Sequence, residues 1–228
     1  HFESNGGSGK MSDMTIATDS KTTLSANAFT KTGYNFAGWA TSENGTKAYN
    51  DKANYLMGTD SEYTLYAIWT PTKYTITYNL NDGSVSSANK TEYTIETETF
   101  TLTNPTKPGY TFNGWTGTNL SRKTNTVTVN VGSTGNLVLT ANWEIIVYNI
   151  SYNLNGGSSS NILPSTYTVE DNITLSVPTK RGYTFVKWID NGYISKGTTG
   201  DKTFTASWEP VKYTIKYNIN GGNVSSAN

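Results

Sequence analysis

Catalysis in this sequence would have to rest on carboxylates. The chain holds a single histidine, His1, and no cysteine, which excludes His- or Cys-based triads and thiolate metal sites. A pair of carboxylic acids can cleave a glycoside, one protonating the leaving oxygen while the other acts at the sugar. The nearest acidic clusters are Glu170-Asp171 and Asp60 with Glu62, and solvation at a strand edge or a turn accounts for both. Asp-Gly and Asn-Gly turns are frequent, but no run reaches the acidic density of a calcium loop. The expectation is a non-enzyme with no catalytic, cofactor-binding or metal-binding residues and no cofactor.

Recognition chemistry is better supplied, because aromatic rings can stack on sugars. Gly-Tyr-x-Phe-x-x-Trp occurs three times, as Gly33–Trp39, Gly109–Trp115 and Gly182–Trp188. Each copy is followed by Ala-x-Trp, at Ala67–Trp69, Ala141–Trp143 and Ala206–Trp208, and these motifs hold all six tryptophans. A sugar platform built on Trp39, Trp115 and Trp188 would make the chain a carbohydrate-binding module of a large secreted glycosidase. Against that, the indoles recur at equivalent places, and a unit of this size buries only about 60% of its unfolded surface. Each ring can bury roughly 150–250 Å², so the leading reading places them in cores. Tyr49 and Tyr55, without counterparts elsewhere, are the better candidates for a surface platform.

The elements that carry these rings repeat with a period of 65 to 76 residues, the signature of one small domain copied in tandem. The second copy is the clearest. Tyr74, Ile76, Tyr78 and Leu80 alternate with Thr and Asn as in a half-buried strand, and Asn81-Asp82-Gly83 predicts a tight turn. Within the aromatic motif Tyr110 and Phe112 share a parity that Trp115 breaks, so a bulge near Gly114 is needed to aim the indole inward. Leu137, Leu139, Ala141 and Trp143 then share one face of a closing strand. About five strands per unit are expected and no amphipathic helix, any helical turn falling between the second strand and Pro105. The expected divisions are 1–70, 71–144, 145–209, and 210–228 as the opening strand of a further copy. The junctions, such as Thr70–Lys73 and Glu209–Lys212, are short and not Gly/Ser-rich, which predicts a semi-stiff rod.

Bulk composition narrows the partners. Seventeen basic residues balance seventeen acidic ones, at only 15% charged. No basic stripe offers a footprint for nucleic acid. The longest apolar runs, such as Ile145-Ile146-Val147, are far too short to span a membrane, so no membrane insertion is expected here. An export signal and an anchor are expected elsewhere in a longer protein. Leu163-Pro164-Ser165-Thr166 looks like a sortase signal, but Tyr167 replaces the required Gly, and it is read as coincidence.

Taken together, the Asn-Gly-Gly-Ser turns (Asn5–Ser8, Asn155–Ser158), the aromatic motif and Thr64–Trp69 resemble the Listeria–Bacteroides repeat, also called the internalin B-repeat. The resemblance covers nearly the whole chain, the first unit most closely. Lys187 departs from it where the other units have Gly38 and Gly114, and the first unit lacks the Pro before its motif. The resemblance implies mainly-β, β-grasp, ubiquitin-like units (α+β at most) in tandem on bacterial surface proteins, between an adhesive tip and a wall anchor. The implied role is a stalk or spacer of a Gram-positive, wall-associated adhesin, with a host-cell or cell-wall component as partner. Because Phe2 aligns with Tyr78, the first unit has little opening strand, whereas Lys212–Ile219 carries a spare one. Residues 211–228 are therefore expected either to dock on the third unit or to complete the first unit of a neighbouring molecule by strand exchange.

Overall fold

A computed structural model describes residues 1–59 and 62–223; Asp60 lies outside them. The first repeat contains β1 (Phe2–Glu3), β2 (Lys21–Thr23), β3 (Tyr34–Ala40), β4 (Asn54–Leu56) and β5 (Leu65–Pro71). The second has β6 (Tyr74–Asn79), β7 (Glu92–Tyr93), β8 (Phe100–Thr101), β9 (Tyr110–Gly117), β10 (Thr128–Val129) and β11 (Leu137–Ile145). The third has β12 (Tyr148–Asn153), β13 (Thr166–Tyr167), β14 (Ile173–Thr174), β15 (Tyr183–Trp188), β16 (Tyr193–Ile194) and β17 (Lys202–Pro210). The described residues contain no helix, in line with the mainly-β expectation.

Each main sheet is built on a parallel pair, its first strand against its last. β6 pairs with β11, placing Ile76 opposite Leu137 and Tyr78 opposite Leu139. β12 pairs likewise with β17, and β1 with β5. The orders are β1-β5-β3, β7-β6-β11-β9 and β13-β12-β17-β15, with small antiparallel pairs β2-β4, β10-β8 and β14-β16. The register Phe2↔Leu65 matches Tyr78↔Leu139 and Tyr152↔Phe204. Phe2 therefore occupies the Tyr78 position, as the alignment of the repeats places it.

The bulge expected near Gly114 has counterparts in the first and third repeats. In β3 the register against β5 shifts between Phe36 and Gly38, and in β15 against β17 between Phe185 and Lys187. One extra residue returns the next side chain to the inner face, leaving Trp39 and Trp115 with no exposed surface and Trp188 with 5%. Gly38 and Gly114 have positive φ and a returning segment over them: Trp39 N–H donates to Tyr49 O at 2.8 Å, and Trp115 N–H to Thr124 O at 2.7 Å. A Cβ on Gly38 would stand 2.5 Å from Tyr49 O. No such bridge to Trp188 exists among the described residues of the third repeat, whose chain turns at Asn191-Gly192. Lys187 is accommodated there for that reason.

Each repeat closes its own core: Phe2, Leu24, Phe29, Trp39, Tyr55 and Leu65; Ile76, Tyr93, Trp115, Val127, Val129 and Leu139; Ile150, Tyr167, Leu175, Trp188 and Phe204. Phe29 stands where the other repeats have Pro105 and Pro178, and its ring meets Trp39 edge-on at 6.2 Å. The chain forms two compact units, one of His1–Thr106 with Phe112–Trp143, the other of Lys107–Thr111 with the chain from Glu144. Residues 211–223 form no strand, and Tyr213, Ile215 and Tyr217 are exposed.

Candidate functional site

The repeated motifs meet in one constellation per repeat. Asn5-Gly6, Asn81-Asp82 and Asn155-Gly156 all have positive φ, the central pair of a type I′ turn. The turn closes with Gly7 N–H to Ser4 O, Gly83 N–H to Leu80 O and Gly157 N–H to Leu154 O at 2.9–3.0 Å. The same three carbonyls accept the Nε1–H of Trp69, Trp143 and Trp208 at 2.9–3.0 Å. The Asn side chains donate to the carbonyls of Ala67, Ala141 and Ala206. Asn-Gly-Gly and Ala-x-Trp thus form a single latch between the first and last strands. The half-buried second indole sits against a turn glycine that has no room for a side chain: a Cβ on Gly83 would fall 2.3 Å from Trp143 Cζ2.

The first indole is an interior post. Phe36, Phe112 and Phe185 stand edge-on between the two tryptophans of their repeats, at 4.9–5.7 Å from each. Trp115 donates its Nε1–H to Asn104 Oδ1 at 2.9 Å. The Nε1 of Trp39 and of Trp188 is buried without a hydrogen-bond partner among the described residues. The bridges Ser8↔Thr30, Ser84↔Thr106 and Ser158↔Thr179 align Ala28 and Val177 with Asn104, and neither side chain can accept. Val177 is exposed. Val177→Asn is expected to give Trp188 the missing acceptor and to raise the stability of the third repeat by about 0.5–1.5 kcal/mol, read as a shift of its urea midpoint at constant slope.

These positions decide the aromatic candidates. Trp39, Trp115 and Trp188 are fully or almost fully covered and cannot stack on a sugar. Of the two platform candidates, Tyr55 is a core residue at 6% exposure and Tyr49 is half-buried against the same core. The Tyr55 ring meets Tyr49 at 5.3 Å and Tyr63 at 6.3 Å. The insert folds back as β4 against β2, a pairing that no local pattern in the insert signals.

Glu170 and Asp171 are hydrogen-bonded within the fold. Asp171 accepts from the backbone N–H and hydroxyl of Thr168 at 2.7 and 2.9 Å, and the backbone bond, then the hydroxyl, lowers its pKa. Glu170 accepts from the Tyr110 hydroxyl. His1 lies exposed between Glu3 at 2.7 Å and Asp13 at 2.8 Å, and these hydrogen bonds raise its pKa, Glu3 foremost. Among the described residues no three His, Cys, Asp or Glu side chains group as metal ligands. Leu163–Thr166 is folded into the third repeat, where Pro164 O accepts from the Tyr152 hydroxyl and Ser165 O from Ile150 N–H.

A cavity of about 410 Å³ in the first repeat is lined by Phe2, Leu24, Tyr55 and Leu65, with His1, Asp13 and Glu62 at its polar side. It lies beside Tyr63 and Leu65, where the other repeats place Ile76 and Ile150 on the closing strand.

Four tyrosine hydroxyls are held against backbone carbonyls: Tyr78 on Lys90, Tyr93 on Gly135, Tyr152 on Pro164 and Tyr167 on Gly200. Burial pushes Tyr78 up to about 12 from 10.0 and raises the other three. Since the folded values lie above the unfolded one, their contribution is complete below pH 10 and is lost as pH rises above it, for Tyr78 through about 12. Alkaline unfolding is expected in that window, together with tyrosinate absorbance from a late-titrating class of tyrosines.

Comparison with known proteins matches this arrangement to one family. The sequence profile of the Listeria-Bacteroides repeat domain matches residues 1–68, 74–142 and 148–208. A protein of Evansella cellulosilytica named "Putative Gly-rich membrane protein" is 32% identical over 202 residues, covering 84% of this chain and 23% of that protein. A second protein of that organism, "Putative membrane protein", is 32% identical over 167 residues, 70% of this chain and 24% of its own length. The chain therefore spans about a quarter of the length of these relatives. No helix among the described residues is long and apolar enough to cross a membrane.

Proposed function

Because this chain belongs to the Listeria–Bacteroides repeat family, we propose that it is a non-catalytic stalk segment of a bacterial cell-surface protein, spacing a distal domain from the wall. The observation that carries this reading is the use made of the aromatic rings. In every repeat one indole is the centre of the core and the other latches a turn, so the residues that recur are spent on closing small disulfide-free domains. The relatives, named as membrane proteins and roughly three to four times as long, support placement at a cell envelope. The host is read as a Gram-positive adhesin, with a host-cell or cell-wall component as a weak partner of the repeats.

Each unit is read as a β-grasp domain, supported by the parallel pairing of first and last strands with an antiparallel strand on the far side. The divisions are read as 1–70, 71–144 and 145–209, a reading supported by the separate core of each repeat. The test is to place the chain between a surface anchor and a fluorescent reporter on a bacterial cell. Reporter height above the membrane should increase with the number of repeats retained. Height independent of repeat number would contradict the spacer role.

A further inference from the structure

The aromatic motif opens with a second recurring feature whose outer face is not used by its own core. Lys31-Thr-Gly33-Tyr34, Lys107-Pro-Gly109-Tyr110 and Lys180-Arg-Gly182-Tyr183 each form a turn closed by Tyr N–H to Lys O at 3.0–3.1 Å. The Lys ammonium lies 4.2–4.6 Å over the Tyr ring in all three. The glycine φ is 77–78° each time, which keeps that position free of a side chain.

In two of the three copies another turn covers this corner. Inside the first unit a Cβ on Gly33 would stand 2.5 Å from Ile95 Cδ1, and the Tyr34 hydroxyl donates to Glu96 Oε1 at 2.7 Å. Inside the second unit a Cβ on Gly109 would stand 2.5 Å from Val169 Cβ, and the Tyr110 hydroxyl donates to Glu170 Oε1 at 2.5 Å. The covering turns are alike: Thr94 N–H is held by Thr97 Oγ1 and Thr168 N–H by Asp171 Oδ2. Ile95 O and Val169 O are fixed by the N–H of Gly132 and Gly197. In the third copy no described residue lies within 4 Å of a Cβ on Gly182, and Tyr183 is 40% exposed.

We propose that the Lys180–Tyr183 corner is a docking surface for the Thr-Ile/Val-Glu turn of a further Listeria–Bacteroides repeat, the apolar residue covering Gly182 and the carboxylate accepting from Tyr183. A second copy of this chain is a poor occupant, because both of its turns of this kind already cover corners of their own. The Tyr213, Ile215, Tyr217 and Ile219 pattern repeats that of Tyr74, Ile76, Tyr78 and Leu80, so the segment following the corner is itself built to open such a repeat. The assignment does not depend on the spacer role.

The test compares the 228-residue chain with one in which a second copy of residues 148–210 follows residue 212. Tyrosine nitration is mapped by peptide mass spectrometry, and blue-shifted emission of the added indoles reports folding of the added repeat. Tyr183 should react about five-fold faster than Tyr34 and Tyr110 in the original chain, the factor one net hydrogen bond sets, and should fall to their rate in the extended one. A folded added repeat that leaves Tyr183 as reactive as before overturns the proposal. Should the added repeat not fold, Ile95→Ser with Glu96→Ala in the original chain decides the matter. Tyr34 alone should then gain about five-fold in rate, with Tyr110 unchanged. An unaltered Tyr34 rate overturns the proposal equally.

Discussion

Trp115→Ala is expected to unfold the second repeat while the third keeps its own transition. The indole has no exposed surface, packs on Phe112 and Tyr78, and bonds Asn104. Truncating a buried Trp to Ala costs about 3–5 kcal/mol. At roughly 0.05–0.15 kcal/mol per residue, a repeat of about 70 residues has only about 4–10 kcal/mol to lose. The loss leaves the repeat marginal or unfolded, because no disulfide limits the unfolded chain. Methyl NMR gives the readout. The Val127, Val129 and Leu139 signals should collapse, whereas those of Ile150 and Leu175 should keep their dispersion, since they belong to a separate core.

Gly83→Val should cost nearly as much, for a reason that owes nothing to backbone conformation. Gly83 is absent from the positive-φ residues. Its hydrogens nonetheless face Trp143 Cζ2 at 2.3 Å and Leu80 O at 3.0 Å from where a Cβ would sit. Overpacking costs about 1–3 kcal/mol, and the Trp143–Leu80 hydrogen bond lost as the ring is displaced adds about 1. An expected total of about 2–4 kcal/mol should appear in chemical denaturation of the second repeat. Gly132→Ala is the control: nothing lies within 4 Å of its Cβ position, so only left-handed strain of about 1–2 kcal/mol remains.

The contrast between these two glycines marks what the sequence can and cannot disclose. Alternation along Tyr74–Leu80 and Leu137–Trp143, the Asn-led turns and the bulge before Trp115 are local patterns, each legible from parity or turn chemistry. The latch is not. Trp143 meets Leu80 across 63 positions, and nothing near either residue reports the other. Tyr55 reads as a surface residue because its insert has no counterparts, whereas β4 returns to pair with β2 and carries the ring inward. The Gly-Tyr corners look like no more than the start of an aromatic motif, because Ile95 and Glu96 lie some sixty residues away. For the candidate site, sequence reasoning identifies the right residues, the tryptophans, and the right role for three of them. It misses that the other three tie a turn as well as fill space.

If the recurring indoles are internal fastenings and not a recognition face, solvent should distinguish them. Fluorine NMR of the chain with all six tryptophans replaced by 5-fluorotryptophan, recorded in H2O and in D2O, reads this site by site. Three resonances, those of positions 39, 115 and 188, should show no solvent isotope shift, and the other three a partial one. Full isotope shifts at all six, displaced by added cell-wall oligosaccharide, would contradict the assignment.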